Sequence, residues 1–285
     1  MKRILIQLDT DPVASTFDSI VATDAGVDML LTRSNVDVEN VTSLVHGAMF
    51  TRRPDHLAST AIFIGGQDVP LTEKLLAKVQ EAFFGPVRVS VMLDANGSGT
   101  TAAAAVRCVE KHVSLKGLEA LVLGGTGPVG QRTAEILASH GAHVRIASRS
   151  LARAEATAAT IRTRIEGANV TPCESSDDGI AAAVDGVAAI IAAGAAGAKF
   201  LSPDEWQSID TLKVAVDLNA VPPAGLEGIE AGDAAVDREG IVTYGAVGVG
   251  GLKMKIHKAA IEKLFAANDQ ILDTAAIYAL SQDIH

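Results

Sequence analysis

Leu121-Val122-Leu123-Gly124-Gly125-Thr126-Gly127-Pro128-Val129-Gly130, followed by Gln131 to His140, reads as a buried strand, a glycine turn and the start of a helix. Gly125, Gly127 and Gly130 complete G-x-G-x-x-G. Glycine lets the backbone turn tightly and approach a pyrophosphate, and the last glycine lets the helix pack on its strand. Gly125, Thr126, Gly127, Pro128, Val129 and Gly130 are therefore the expected phosphate-binding turn, with free N–H groups at the helix N-terminus. The motif alone is weak in a chain with 26 glycines. Its context gives it weight: an apolar run precedes it, a helical pattern follows, and another strand lies beyond.

From Glu119 the rhythm is regular, with strands at 119–124 and 143–148 and helices at 128–140 and 150–165. A strand follows near 169–172, a helix near 177–184, and strands at 187–193 and 212–218. The same alternation precedes the turn. Strands are expected at Ile4–Leu8, Val27–Thr32, Thr60–Ile64 and Val87–Leu93, and helices at Thr16–Ala25, Asn40–His46 and Leu71–Phe84. Leu75, Leu76, Val79 and Phe83 carry a helical period, and Gly85-Pro86 ends it. Thr51–His56 reads as a polar loop. Alternating strands and helices predict an α/β protein with parallel sheets covered on both faces. We expect two domains: residues 1–114, completed by helices within 253–285, and a Rossmann domain over 115–252.

The 285 residues are enough for two cores. Hydrophobic residues make up 48%, charged residues 20% and aromatics 4%, which suits closely packed α/β layers. The net charge of −10, without a basic cluster, argues against nucleic acid and anionic membranes as partners. Cys108 and Cys173 are the only cysteines, so neither a disulfide framework nor a cysteine zinc site is expected. The N-terminus lacks a signal-peptide pattern and no apolar run is long enough for a membrane span, so a cytoplasmic protein is expected. No H-E-x-x-H or other metal spacing occurs, and no G-x-S-x-G.

The second Rossmann strand ends near the adenosine ribose, where an acid selects NAD and a basic residue accommodates the 2′-phosphate of NADP. Here Ser148-Arg149-Ser150 replaces the acid. Both hydroxyls can donate to a phosphate and the guanidinium can bind it bidentately, with Arg153 one turn on. The same residues also suit a plain helix start, with a serine cap and a solvated arginine. NADP is the expected cofactor. Ala193 and Gly194, and Asn219 in Asn219-Ala220-Val221-Pro222-Pro223, follow two further strands and line the expected cofactor crevice.

On the substrate side, Asp94-Ala95-Asn96-Gly97-Ser98-Gly99-Thr100-Thr101 is polar and small at the end of a strand. Phe17 can stack on a flat heterocycle and Asp18 can accept from ring N–H groups, although an isolated Phe is more often core. Gly245 to Gly251 reads as a glycine loop running into a helix, with Lys253 and His257 on one face at i, i+4. Lys253 is solvated unless the fold brings it to the nicotinamide. His257 alone is read as structural or surface. The stretch from Glu227 to Ile241, with Asp233, Asp237 and Glu239, is acidic and matches no motif; a subunit-contact loop and a solvated surface both suit it. The tail from Lys253 reads as helical.

Several of these pieces resemble, almost end to end, the bacterial NAD(P)-dependent methylenetetrahydromethanopterin dehydrogenases, which are related in architecture to methylenetetrahydrofolate dehydrogenases. They are Gln7-Leu8-Asp9-Thr10-Asp11, Thr16-Phe17-Asp18, the segment 59–66, Phe83-Phe84-Gly85-Pro86, Asp94-Ala95-Asn96-Gly97-Ser98, the glycine turn, Asn219 to Pro223, and Gly248-Val249-Gly250-Gly251-Leu252-Lys253. Asp-x-Asn-Gly-Ser together with Gly-Gly-Leu-Lys is the specific part. The likeness runs to the NADP-specific members.

The resemblance implies hydride transfer from a methylene carbon on a pterin carrier to the nicotinamide, leaving a methenyl cation. It places Lys253 at the active site, and Phe17, Asp18 and Asp94 around the pterin. Asn96, Ser98 and Thr100 are candidates in the same segment. A soluble homo-oligomer acting on a small-molecule pterin is expected. Tyr244 and Tyr278 lack the lysine four residues on that a cyclohydrolase pair needs, so the dehydrogenase is expected without that activity. Three alternatives stay open: the same chemistry on methylenetetrahydrofolate, a shikimate or quinate dehydrogenase-like enzyme, and a non-catalytic NADPH-sensing module. The second needs a first-domain Lys–Asp relay, whereas Lys74 and Lys78 are expected on a helix.

Overall fold

A computed structural model describes residues 1–284. The chain divides into two compact units, Met1–Thr100 with the residues from Met254 onward, and Thr101–Lys253. The first unit contains β1 (Ile4–Asp9), α1 (Thr16–Asp24), β2 (Met29–Arg33), α2 (Val41–Met49), β3 (Thr60–Gly65), α3 (Val69–Glu81) and β4 (Ser90–Leu93), and α4 (Ser98–Glu110) begins in it. The second contains β5 (Glu119–Leu123), α5 (Pro128–Ser139), β6 (His143–Ser148), α6 (Leu151–Arg164), β7 (Asn169–Glu174), α7 (Asp177–Ala183), β8 (Ala189–Ala192), α8 (Pro203–Gln207), β9 (Val214–Asp217), β10 (Ala234–Arg238) and β11 (Ile241–Tyr244). The chain returns through α9 (Ala246–Lys263) to β12 (Ile271–Leu272) and α10 (Thr274–Ser281).

In the first unit the strand order is β12-β4-β3-β1-β2, all parallel. The chain builds outward from β1 to β2, then crosses back to β3 and β4. The order therefore reverses between β1 and β3, and in open parallel sheets ligands lie beyond the carboxyl ends of the strands at such a point. β3 is buried along its whole length, as expected of an inner parallel strand. α3 shows how locally the sequence dictates these elements. The Asp68 carboxylate caps it by accepting from the Leu71 N–H at 2.9 Å, and Pro70 sits in the first turn. Leu75 and Val79 face the core. Beyond it, Phe84 and Val87 exchange two backbone hydrogen bonds around Gly85, whose φ is +53°. That reversal delays β4 to Ser90.

The second unit's order is β10-β11-β9-β8-β5-β6-β7. Every neighbouring pair is parallel except β10 with β11. Read from β7, this is the doubly wound order of a Rossmann domain with an antiparallel strand added at one edge, and it reverses between β5 and β8. Its core joins Leu121, Leu123, Ile190, Trp206 and Leu226.

Three sequence expectations are corrected. The stretch after Gly245 is no loop, because α9 begins at Ala246 and includes Gly248, Gly250 and Gly251. A β-carbon at Gly248 would collide with the Asp233 carbonyl, so this glycine serves a close helix–backbone approach. Within 227–241 lies the edge strand β10, whose mostly exposed residues carry no inside–outside alternation. The tail is not wholly helical: Ile271 and Leu272 pair with Val91 and Met92.

Candidate active site

At the β5–α5 turn each glycine has its own reason. Gly124 has φ +69°, and a β-carbon there would lie 2.6 Å from the Gly194 Cα. At Gly125 it would lie 2.6 Å from the Ile146 Cγ2, and at Gly130 2.6 Å from the Gly124 carbonyl oxygen. Packing of the protein on itself demands those three. Gly127 is different, since a β-carbon would meet only the Gly124 and Ala193 oxygens, at 3.4 and 3.8 Å. The fold tolerates a methyl group there, so the open space beside Gly127 is what a ligand would need.

The N-terminus of α5 is open. Gly127 is its N-cap and no side chain caps it. Among the described residues no hydrogen bond engages the Val129 or Gly130 N–H, whereas the Gly125 N–H is held by the Ala147 carbonyl at 3.0 Å. Exposed N–H groups with the positive end of the helix dipole fit a phosphate. Gln131 steadies the turn by donating to the Thr126 carbonyl at 2.8 Å.

The end of β6 touches this turn, the Thr126 and Ser148 hydroxyls being 3.2 Å apart. Ser148 is buried and also accepts from the Ser150 N–H at 3.3 Å. Ser150 caps α6 by accepting from the Arg153 N–H, so the plain capping role is real. Arg149 between them is exposed, and among the described residues its guanidinium makes no hydrogen bond or ion pair. Arg153, on the first turn of α6, is exposed as well.

After β8, the Ala193 N–H donates to the Leu123 carbonyl at 2.8 Å, and Gly194 leaves room for the Phe200 ring. After β9 the Asn219 side chain is engaged at both ends, donating to the Pro223 carbonyl and accepting from the Val221 N–H. It shapes its own loop. Sequence reasoning gave no role of its own to Asp217, which heads the stretch Asp217–Pro223 expected to line the crevice; it is a buried carboxylate accepting from the Asn219 and Leu226 N–H groups at 2.9 Å each. Burial pushes its pKa above the usual carboxylate range, against the pull of those donors. Its signal was an acid ending an apolar strand. Tyr244 is also buried; desolvation pushes its phenol up to about 12, with the nearby Cys108 thiol adding to the shift. Its hydroxyl lies 2.8 Å from the His112 Nε2.

In the first unit the carboxyl ends of β1 and β3 carry a second constellation. Asp9 is buried, with one oxygen accepting from the Asp11 N–H and the other from the Ser15 N–H. A β-carbon at Gly65 would lie 3.5 Å from an Asp9 oxygen, 3.6 Å from an Asp18 oxygen and 3.1 Å from the Phe63 ring. Asp18, also buried, sits in the first turn of α1, and Phe17 beside it is 51% exposed. The Asp94 segment is a tight turn. The Asp94 carboxylate accepts from the Gly99 and Thr100 N–H groups at 2.7 and 3.2 Å and from the Thr100 hydroxyl at 2.6 Å. Ser98 donates to the Ala95 carbonyl at 2.6 Å. Asp94, Ser98 and Thr100 are buried and bind one another or the turn, whereas Asn96, at φ 51°, is exposed. Lys253 is 9% exposed and His257 fully buried, one turn apart on α9; neither is a solvated surface residue. Lys74 and Lys78 lie on α3, with Lys78 ion-paired to Glu81 at 2.6 Å.

Residues 16–96 match the family model described as methylene-tetrahydromethanopterin dehydrogenase, N-terminal. Two proteins of Methylorubrum extorquens align along nearly the whole chain. The bifunctional protein MdtA is 43% identical over 286 residues, covering 99% of each chain. An NAD(P)-dependent methylenetetrahydromethanopterin dehydrogenase is 33% identical over 281 residues, covering 95% of this chain and 94% of that one. Among solved structures, quinate dehydrogenase from Corynebacterium glutamicum in complex with NAD superposes with a TM-score of 0.53 at 13% identity, over 99% of both chains. Shikimate dehydrogenase of Mycobacterium tuberculosis gives 0.53 at 18% identity, over 99% of this chain and 100% of that one. At such identities these two share the fold alone. Among the described residues no helix is long and apolar enough to cross a membrane, and no group of three or more His, Cys, Asp or Glu side chains is placed to hold a metal ion. On the two full-length relatives and the matching N-terminal model, the chain belongs to the methylenetetrahydromethanopterin dehydrogenase family.

Proposed function

We propose that this protein oxidises methylenetetrahydromethanopterin to the methenyl form with an NAD(P) cofactor, and that it prefers NADP. The observation carrying the cofactor reading is Gly127: its lack of a side chain serves no packing need, and it caps a helix with open N–H groups. Arg149, unengaged and following a serine that touches the turn, supports a 2′-phosphate. When bound, the cofactor supplies a hydride acceptor at nicotinamide C4. The methylene C–H bond breaks with both electrons leaving as hydride, and the flanking nitrogens stabilise the resulting cation. No general base is required, so the protein binds, orients and excludes water.

The second unit binds the dinucleotide through the β5–α5 turn, Ser148, Arg149, Ser150 and the Ala193-Gly194 turn. The first unit binds the carrier through Phe17, Asp18 and Asn96. Asp94, Ser98 and Thr100 act one step back, by holding the turn that presents Asn96, and Asn219 holds its loop. Lys253 orients the carrier or balances charge near the reacting carbon.

The test is NADP and NAD reduction with methylenetetrahydromethanopterin and methylenetetrahydrofolate, each in steady state. Higher kcat/KM on the methanopterin carrier with NADP is expected. A strong preference for the folate carrier sinks the substrate assignment. Tight NADPH binding without turnover on either carrier sinks the enzymatic one.

A further inference from the structure

His257 lies inside the first unit at the same strand ends as Asp18. Its ring stacks on Phe63, with centroids 5.7 Å apart and planes 18° from parallel. It also meets Phe17 at 6.2 Å and 38°. Its Nε2 is 4.0 Å from the Asp18 Oδ1, and the two side chains are 0% and 7% exposed. That separation is beyond hydrogen-bond length. In so buried a site the imidazole edge and the carboxylate face one another with little water to screen them. A leucine would fill a similar space but would bring no ring nitrogen within 4.0 Å of the Asp18 carboxylate. Asp9 adds weight, since it brings a second buried carboxylate to Gly65, with its oxygens already holding the Asp11 and Ser15 N–H groups.

We propose that His257 is a positioning residue for the reaction: clamped on Phe63, it braces the inner edge of Phe17 and fixes the Asp18 carboxylate, so the carrier meets a set platform and a set acceptor. The inference rests on the reading that Phe17 and Asp18 contact the carrier. It differs from a core role in one respect, since the ring nitrogen matters as well as the ring volume.

The experiment is steady-state kinetics and thermal melting of the full chain carrying His257→Leu, His257→Gln, Asp18→Asn or Phe17→Leu. His257→Leu is expected to raise the carrier KM by about tenfold or more while the NADP KM stays within about twofold. His257→Gln, which keeps a nitrogen near the Nε2 position, is expected to recover most of that loss. His257→Leu and Asp18→Asn combined are expected to be non-additive. An unchanged carrier KM in a folded His257→Leu variant overturns the proposal. So does a glutamine variant as impaired as the leucine one, which makes the effect packing alone. If Asp18→Asn and Phe17→Leu leave the carrier KM untouched, the site reading itself fails and takes this inference with it. If they raise it and His257→Leu does not, the inference falls alone. Should the leucine variant not fold, Phe63→Leu replaces it: a carrier KM raised about threefold or more is expected, and an unchanged one overturns the clamp.

Discussion

Replacing Gly127 by alanine separates a ligand role from a packing role, with Gly124→Ala as the comparison. At Gly127 the new methyl would sit 3.4 Å from the nearest protein atom, and φ −80°, ψ 168° suits any residue. Alanine is a poorer N-cap than glycine by about 0.5–1 kcal/mol, and the stiffer unfolded chain returns about 0.4–1 kcal/mol. The free protein's melting temperature therefore moves by no more than about 2 °C. At Gly124 the left-handed backbone costs about 1–2 kcal/mol, and the overlap with the Gly194 backbone adds about 1–3 kcal/mol. At about 2–4 °C per kcal/mol for a unit of this size, the melting temperature falls by roughly 4–20 °C. Nucleotide binding inverts the ranking of what is learned. The Gly127 methyl holds a pyrophosphate off the turn, and each charge-assisted bond lost costs about 1.5–3 kcal/mol, which weakens Kd by about 10- to 150-fold. Calorimetric titration of NADP and melts of the free protein read both quantities. A Gly127→Ala protein that binds NADP within about threefold of wild type, or melts as early as Gly124→Ala, excludes a ligand role for Gly127.

Arg149→Ala is expected to raise the KM for NADP by about 10- to 100-fold, from loss of a bidentate contact of about 1.5–3 kcal/mol, with NAD nearly unaffected; equal effects on both contradict the phosphate role. Lys253→Ala is expected to lower kcat by about tenfold or more and to leave the NADP Kd nearly intact, so normal turnover would make the lysine a packing residue. Asp94→Ala removes the acceptor of three hydrogen bonds in the Asn96 turn and is expected to cost about 2–4 kcal/mol in urea unfolding; a loss below about 0.5 kcal/mol would make the turn self-supporting. Asp233 tests the pH response. Burial opposes its charge, yet the Arg238 fork at 2.8 Å, the Thr243 hydroxyl at 2.9 Å and the Glu230 N–H outweigh that and hold its pKa below the usual range. A lowered folded-state pKa gives stability that is full above the unfolded value of about 3.9 and is lost as pH falls through the folded one. Asp233→Asn should cost about 2–4 kcal/mol at pH 7 and flatten the acid limb of urea stability as pH falls below the unfolded value of about 3.9; an acid limb as steep as wild type excludes this pair as its source.

The Rossmann half was legible because its signals are local and repeated. An apolar run, a turn and a helical pattern mark each βα step, and right-handed crossovers leave few strand orders open. Ser148, Arg149 and Ser150 also fell where the strand end put them. β10 was illegible because an edge strand exposes most of its residues and shows no period. The glycines around the start of α9 misled for another reason: Gly245 and Gly248 accommodate the backbone of residues 230–234, more than ten residues away in sequence, and Gly250 and Gly251 lie in open space. At the candidate substrate site the sequence named a group of residues without ranking its members. Asp94, Ser98 and Thr100 are polar by composition, but only coordinates show that they bind one another and leave Asn96 to the solvent. His257 was read as structural or surface, since one histidine on a helix gives no sign that Phe63, Phe17 and Asp18 surround it.

The first unit is assembled from two separate stretches of chain. β12 pairs with β4, and the Gln270 carbonyl accepts from the Val91 N–H across the whole of the second unit's sequence. On a ribosome adding about 5–20 residues each second, β1 to β4 emerge well before the strand and helices that cover the β4 edge. The second unit, continuous from Thr101 to Lys253, has everything it needs to fold in the meantime. For about 10–35 seconds of synthesis at such rates, the first sheet waits with its β4 edge open, a template for strand pairing with other chains. Expression at high translation load would therefore expose the nascent first unit to aggregation and chaperone capture, while the second unit is already formed.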